Sequence, residues 1–378
     1  MKILQICTLI TPDAAYGGPV RVAVNQSKAL IDAGHEVTLL AGASGFGRTL
    51  PTEYDGVPVK LFRARQAIPK TGFAGLVSPG LFTNLLKRPK PDVVHVHLAR
   101  DLITLPAAVW ARAGKVPYVL QTHGMIDPSG NPLSVPLDRC LTRPSLAGAD
   151  KVFYLTDVEK LGLQQVSRGK VSLEKLVNGV PLPSVESQSS ASVEVLYLAR
   201  LHSRKRPLAF VAMASALSAK HPSATFRLVG PDEGEGKACA SAIQTASRSD
   251  ALSWEGPIAP ERALDRLSRA SIYVLPSINE PFPMSVLEAM SLGKPVVITD
   301  SCGLAESVRE AEAGLVVDDS QDALEAAVDT ILADHDLRRR MGRNAYRLAQ
   351  DRFGMKPVVD ALVSTYENAL RTRTLDIE

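Results

Sequence analysis

The residues best placed to do chemistry are two glutamates eight positions apart, Glu280 and Glu288, in the run Asn279-Glu280-Pro281-Phe282-Pro283-Met284-Ser285-Val286-Leu287-Glu288-Ala289-Met290. Residues 270–277 before them read as a buried strand of β-formers closed by Pro276 and Ser277. Gly293-Lys294-Pro295 after them ends a helix ahead of a further strand at 296–299. Glu280 is therefore expected in a strand-to-helix loop and Glu288 in the helix. In an open parallel sheet such loops lie beyond the carboxyl ends of the strands, where ligands bind. The structural alternative is that both carboxylates favour the helix dipole by a few tenths to about 1 kcal/mol.

Three other places carry reactive or ligand-binding side chains. Arg200-Leu201-His202-Ser203-Arg204-Lys205-Arg206 follows a strand expected at 193–199. Fixed cations beside a diphosphate stabilise the charge that develops as a bond to it breaks; the alternative is a solvated basic loop. His123 ends the apolar strand at 117–122, a position that suits ligand contact, whereas the mid-strand His95 and His97 read as parts of the sheet. Tyr16-Gly17-Gly18-Pro19 joins the first strand to a helix expected from about Pro19. Its glycines let the backbone approach a phosphate or sugar, and free amides at a helix start favour an anion. The loop is not GxGxxG and no acidic residue closes the second strand, which argues against a nicotinamide enzyme.

Taken together, the strand, Pro276-Ser277, Glu280, Pro-Phe-Pro, Glu288-Ala-Met and Gly-Lys-Pro-Val-Val resemble the Glu, seven residues, Glu signature of retaining nucleotide-sugar glycosyltransferases of family four, the glycosyl transferases group 1, which have GT-B architecture. The likeness extends to Gly17-Gly18-Pro19, to Asp32-Ala33-Gly34-His35-Glu36-Val37-Thr38 and to Thr122-His123-Gly124. It implies that Arg200 and Lys205 hold a diphosphate, that Glu288 bonds the ribose hydroxyls, and that Glu280 and His123 touch the donor sugar. It further implies that the backbone at Phe282, Met284 and Ser285 faces sugar and phosphate, and that Gly17, Gly18, Gly230 and Ile258 line the nucleotide site. Glu280, His123, Arg200 and Lys205 form the implied catalytic set, with Asp127 as an added candidate. Two departures stand out: Ala199 and Arg206 occupy positions where the family has Gly, so the register across Arg204, Lys205 and Arg206 is open by one.

The implied reaction moves a hexose, with retention, from a UDP- or GDP-linked donor to a hydroxyl of a glycan or lipid-linked acceptor, in bacterial surface polysaccharide or glycolipid synthesis. It implies no cofactor, no metal ion and no nucleic-acid partner, the cationic side chains doing a metal's work. A nucleotide-sugar 2-epimerase and a non-catalytic nucleotide-sugar-binding protein are the competing readings. The first would need no acceptor, and the second would bind donor without transferring it.

The elements that must position these residues alternate strand and helix twice over. Strands are expected at 3–10, 36–41, 57–62, 92–97, 117–122, 151–155 and 174–177, with helices at 19–33, 103–113 and 133–147. A second set of strands is expected at 193–199, 224–229, 252–255, 271–275, 295–299 and 314–317. Residues 181–192, rich in Pro and Ser, read as a linker. A chain of 378 residues exceeds the size of one growing core, so the expectation is α/β: two doubly wound, Rossmann-like domains facing a central cleft, at 1–182 and 193–355. An amphipathic helix from 356 would cross back to the first domain, as the family resemblance implies.

Four dispersed cysteines suggest neither disulfides nor a zinc site, so a reducing cytoplasm is expected. The first residues read as a strand, and no run of about 18 apolar residues spans a membrane. Residues 1–185 carry 21 Lys and Arg against 13 Asp and Glu, and the remainder 22 against 27, so the first half is expected to face an anionic partner. Within it, residues 60–90 hold Lys60, Arg63, Arg65, Lys70, Lys87, Arg88 and Lys90 with no acidic residue, interleaved with Phe62, Phe73, Leu76, Leu81, Phe82 and Leu85. This pattern suits peripheral contact with the inner face of an anionic membrane; the alternative is core aromatics beneath a solvated face.

Overall fold

A computed structural model describes residues 1–12, 17–69, 71–87, 89–131, 133–182, 193–246, 248 and 250–375. Tyr16, Lys70, Arg88 and residues 183–192 of the expected linker lie outside the described residues. The chain divides into two compact units, the first formed by 1–179 with 355–378 and the second by 180–354.

In the first unit the strands are β1 (Lys2–Ile10), β2 (Glu36–Ala43), β3 (Glu53–Tyr54), β4 (Val57–Arg63), β5 (Arg65–Gln66), β6 (Leu76–Val77), β7 (Val93–His97), β8 (Tyr118–Gln121), β9 (Lys151–Tyr154) and β10 (Leu173–Lys175). Eight of them form one sheet in the order β10-β9-β8-β7-β1-β2-β4-β3, parallel except for β3, while β5 and β6 pair separately. Helices cover both faces, so the central strands are buried on both sides. From β1, Leu4 and Ile6 pack with Leu81, Leu105 and Leu146 on one face. On the other face Ile3 packs with Leu30 of the helix Gly17–Asp32 and with Val358, Leu362 and Tyr366 of the last helix, Met355–Leu375.

The second unit contains β11 (Val193–Leu198), β12 (Ala224–Val229), β13 (Leu252–Trp254), β14 (Ile272–Leu275), β15 (Val296–Thr299) and β16 (Gly314–Val317). They form a fully parallel sheet in the order β13-β12-β11-β14-β15-β16. The doubly wound α/β architecture read from the strand and helix alternation is present in both units.

Several expectations need correction. The first helix begins at Gly17, not Pro19, so Gly17 and Gly18 belong to its first turn; Pro19 is tolerated there because early helical N–H groups lack partners anyway. The continuous helix expected at 133–147 is Ser134–Leu137, a π-helical turn Asp138–Thr142, and Arg143–Gly148. The chain passes between units at Gly179 and Val180, ahead of the Pro- and Ser-rich stretch. A Cβ on Gly179 would lie 2.5 Å from Met355 Sδ, and Val180 N–H bonds Phe353 O at 2.8 Å. In the basic segment, Leu76, Leu81 and Leu85 are core and Phe62 packs against them, so they are not membrane anchors. Arg63 donates to the carbonyls of Gly47 and Arg48, and Lys90 to that of Gly114. The exposed apolar side chains there are Ile68, Phe73 and Leu86. Among the described residues no helix is long and apolar enough to cross a membrane.

Because Leu362 is fully buried where the last helix meets the first unit's sheet, Leu362→Ala should destabilise that unit by about 2–5 kcal/mol in urea unfolding. Leu86→Ala, at a side chain 73% exposed, should change it by no more than about 0.5 kcal/mol. Equal midpoints for the two variants would contradict the packing of this helix.

Candidate active site

The strand order of the second unit reverses between β11 and β14, so the loops that leave their carboxyl ends rise side by side. The loop after β11 carries Arg200 and Lys205, and the loop after β14 carries Glu280. Tyr273 in β14 fastens the two: its buried hydroxyl lies 3.0 Å from Leu198 O at the end of β11 and 2.7 Å from Ser285 Oγ in the helix Met284–Ser291. The Ser285 hydroxyl is thereby engaged, which leaves its backbone as the part able to face a ligand.

Glu280 is held from its backbone outward. Asn279 adopts φ +51° and donates its N–H to Ser301 Oγ at 3.0 Å, while Gly303 N–H bonds Glu280 O at 2.9 Å. A Cβ on Gly303 would fall 1.8 Å from Pro281 O, so only glycine lets these loops meet. The carboxylate of Glu280 accepts Lys205 Nζ at 2.5 Å, and Arg204 Nη2 stands 3.9 Å away. Both partners of the Lys205–Glu280 pair are nearly buried. Burial pushes the Lys205 ammonium below its ordinary pKa, against the pull of Glu280.

The three cations at 204–206 are placed differently. Arg206 is the left-handed residue before the helix Pro207–Lys220, with φ +52°, and its guanidinium donates to Asp319 O. Arg204 points largely to solvent, so of the three cations Lys205 is the one brought onto Glu280.

Arg200 makes two 2.8 Å hydrogen bonds to the carboxylate of Glu233, from the loop after β12. Gly230, at the start of that loop, has φ +146°, and a Cβ there would lie 2.0 Å from Ala199 O. The close backbone approach therefore falls on Gly230, opposite the alanine that stands where a Gly was expected. Trp254 Nε1 donates to Gly230 O at 3.0 Å, tying the loop that carries the half-buried Ile258 to the same edge. In the helix Met284–Ser291, Val286 and Leu287 N–H groups turn back to Pro283 O, and Glu288 is buried one turn in.

In the first unit the order reverses between β1 and β7. His123, just past β8, is half-buried and left-handed at φ +51°, next to Gly124 at φ +73°. Glu159 holds this turn: its Oε1 accepts the Thr122 hydroxyl at 2.5 Å and Gly124 N–H at 2.6 Å. The His123 ring lies edge to edge with His97, nearly coplanar at 12° and with Nε2 2.8 Å from His97 Nδ1, and its pKa is pushed down to about 3 by burial. Asp127 sits on an exposed turn clamped by Arg100, whose guanidinium also holds Asp138 in the π-helical turn. Asp334 caps the helix His335–Phe353, its Oδ1 accepting from Asp336 and Leu337 N–H. Among the described residues no three His, Cys, Asp or Glu stand together as a metal site.

The family profile of glycosyl transferases group 1 matches residues 185–348, and that of the glycosyl transferase 4-like domain matches residues 17–173. The chain belongs to the group 1 glycosyl transferases. Among curated relatives, a D-inositol 3-phosphate glycosyltransferase of Acidothermus cellulolyticus is 31% identical over 187 residues, spanning 47% of this chain and 42% of the relative. The chain thus matches less than half the length of that relative. A glycogen synthase of Mycobacterium tuberculosis is 26% identical over 98% of this chain and 95% of its own. Among solved structures, Anabaena Alr3699/HepE in complex with UDP superposes with a TM-score of 0.74 at 18% identity, covering 97% of this chain and all of that one. This group 1 member therefore has the GT-B fold.

Two contributors escaped sequence reading. Glu233 had no signal beyond being an acid after a strand, and His97 looked like a sheet residue because nothing in sequence shows what lies at the end of its neighbouring strand. Removing one partner of a nearly buried ion pair leaves the other uncompensated. Lys205→Met should therefore cost about 3–5 kcal/mol in urea unfolding, and adding Glu280→Met should recover part of that loss. Strict additivity of the two substitutions would mean that the pair carries no coupling.

Proposed function

We propose that this protein is a retaining, metal-independent hexosyltransferase that moves a sugar from a nucleoside diphosphate donor to a hydroxyl of a glycan or lipid-linked acceptor. The observation that carries the reading is the gathering of Arg200, Lys205 and Glu280 on one carboxyl edge, at the strand-order reversal of the second unit. Membership of the group 1 glycosyl transferases and the UDP bound by the Anabaena protein of like fold support it.

In this reading Glu288 accepts hydrogen bonds from the ribose hydroxyls, Gly230 keeps its edge clear of a side chain for the nucleotide, and Ile258 offers it backbone groups. The diphosphate draws Arg200 and Lys205 to itself, and the amides of Met284 and Ser285 add the partial positive charge of a helix start. Glu280 and His123 orient the sugar, and Gly17 and Gly18 keep the first helical turn open to anions. The anomeric carbon–oxygen bond to the diphosphate breaks through an oxocarbenium-like state, and the cations stabilise the departing charge, which is the work a metal ion does elsewhere. An acceptor hydroxyl attacks from the same face and passes its proton to a diphosphate oxygen, so one carbon–oxygen bond replaces another and configuration is kept. The reaction belongs in the cytoplasm, at the inner face of a membrane where a lipid-linked acceptor is presented, and its product would enter surface polysaccharide or glycolipid.

Charge-assisted hydrogen bonds contribute about 1.5–3 kcal/mol each. Glu288→Ala and Arg200→Ala should therefore weaken calorimetric binding of UDP or GDP by roughly that much. Glu280→Gln and His123→Ala should lower turnover more than nucleotide affinity. Unchanged nucleotide affinity in the first two variants would remove the donor-site assignment, and proton NMR of an inverted product anomer would remove retention.

The membrane proposal rests on the exposed Ile68, Phe73 and Leu86 and on the exposed Lys87 of the same basic segment. Vesicle flotation should show binding to anionic lipid that weakens with salt and with Phe73→Glu and Leu86→Glu together. Equal recovery on neutral vesicles would point to a soluble acceptor.

A further inference from the structure

The first unit buries a row of side chains that the transfer chemistry above does not use. On the face of the sheet covered by the last helix, His95 and His97 stack with ring centroids 4.6 Å apart and planes 13° apart, and His97 lies in line with His123, edge to edge with planes 12° apart. The row is anchored at one end by Tyr366, whose hydroxyl lies 2.7 Å from His95 Nδ1. At the other end His97 Nδ1 meets His123 Nε2 at 2.8 Å, and His97 Nε2 meets Gln5 Oε1 at 2.9 Å. Gln5 and His97 are both fully buried, so these contacts are not traded for water.

With its Oε1 facing His97, Gln5 gives these hydrogen bonds one direction, while its Nε2 is buried with no partner among the described residues. Gln5 Oε1 can only accept, so the single proton of a neutral His97 sits on Nε2, and its Nδ1 carries a lone pair. That lone pair can only accept from His123, which places the proton of His123 on Nε2 and leaves His123 Nδ1 as an acceptor. Burial and the adjoining imidazoles hold His97 well below its ordinary pKa, so the neutral form assumed for this relay is the one present at pH 7.

We propose that Gln5 and His97 are positioning residues that fix His123 in its Nε2–H tautomer, so that Nδ1 is presented to accept a hydrogen bond from a hydroxyl of the donor sugar. The part concerning the sugar rests on the function proposed above; the tautomer itself does not. A histidine fixed this way accepts at Nδ1 and cannot donate there, so it selects a substrate hydroxyl and discriminates against an ether or a bare acceptor at that point. His97 acts only through His123, as outer partners that fix a histidine's tautomer commonly do.

The test separates the two. In the free full-length protein labelled with 15N-histidine, long-range proton–nitrogen spectra at pH 7 should show His97 and His123 neutral with protonated Nε2. His97→Phe keeps an aromatic ring in the stack but removes the acceptor, and should release His123 from a single tautomer. His97→Gln, with a carbonyl for His123 and an amide for Gln5, should restore it. With UDP-glucose or another accepted donor, His97→Phe should lower kcat by about 10- to 100-fold with nucleotide affinity unchanged, and His97→Gln should recover most of that loss. Finding His123 protonated on Nδ1 in the free protein, or an unaltered His123 tautomer in His97→Phe, would overturn the relay. A correct tautomer with kcat insensitive to both variants would instead overturn its role toward sugar and leave the relay standing. If His97→Phe does not fold, Gln5→Met is the substitute: it removes the acceptor oxygen that orients His97 and should scramble both imidazoles, and two unchanged tautomers there would also overturn the relay.

Discussion

Every parallel strand delivers its carboxyl end to the same edge of the sheet, and where strand order reverses, the chain after two neighbouring strands leaves to opposite faces and opens a crevice at that edge. That constraint governs both units. In the second it puts the loop after β11, with Arg200 and Lys205, beside the loop after β14, with Glu280. In the first it puts the reversal between β1 and β7, next to the strand whose end carries His123. Tyr273 and Gly303 work within this frame: one links strand ends to a helix start, and the other lets two loops approach closer than any side chain would permit.

Charge at the second unit's edge is balanced before any ligand arrives. Lys205 rests on Glu280 and Arg200 on Glu233. An unpaired ammonium in so buried a place would be costly, so the carboxylates keep the cations ordered and charged. The same pairing sets a threshold for a competing anion, which must offer more than one carboxylate does. A diphosphate has two charged groups and several acceptor oxygens, and a helix start adjoins it.

The first unit solves a different problem, that of holding a neutral, directional group on a backbone that disfavours it. His123 has a left-handed conformation, which costs of order 1–3 kcal/mol unless its surroundings impose it. Glu159 grips the turn from its backbone and the Thr122 hydroxyl, while His97 grips the ring. The helix that begins at Asp157 thereby serves the turn as well as the core, because Glu159 lies in its first turn, where a carboxylate also suits the dipole.

Much of this was legible in the order of residues. Alternation of apolar strands with helices is local, set by side-chain spacing, and it located the strands to within a residue or two at most ends. The Glu280 to Met290 run, the basic loop at Arg200 and the strand-end histidine were visible for the same reason: each is a short motif tied to a strand terminus. What the sequence could not show depends on pairing across long separations. The choice of Lys205 over its neighbours rests on Glu280, 75 positions away, and the engagement of Arg200 rests on Glu233, 33 positions away. The joining of Gln5, His97 and His123 needs β1, β7 and β8 to be neighbours. Likewise the burial of Leu76, Leu81 and Leu85, which left fewer apolar groups for a membrane, followed from packing against β1 and its neighbours. Spacing along a chain fixes which face of an element a residue occupies, but only the strand order and the helices laid over it decide what that face meets.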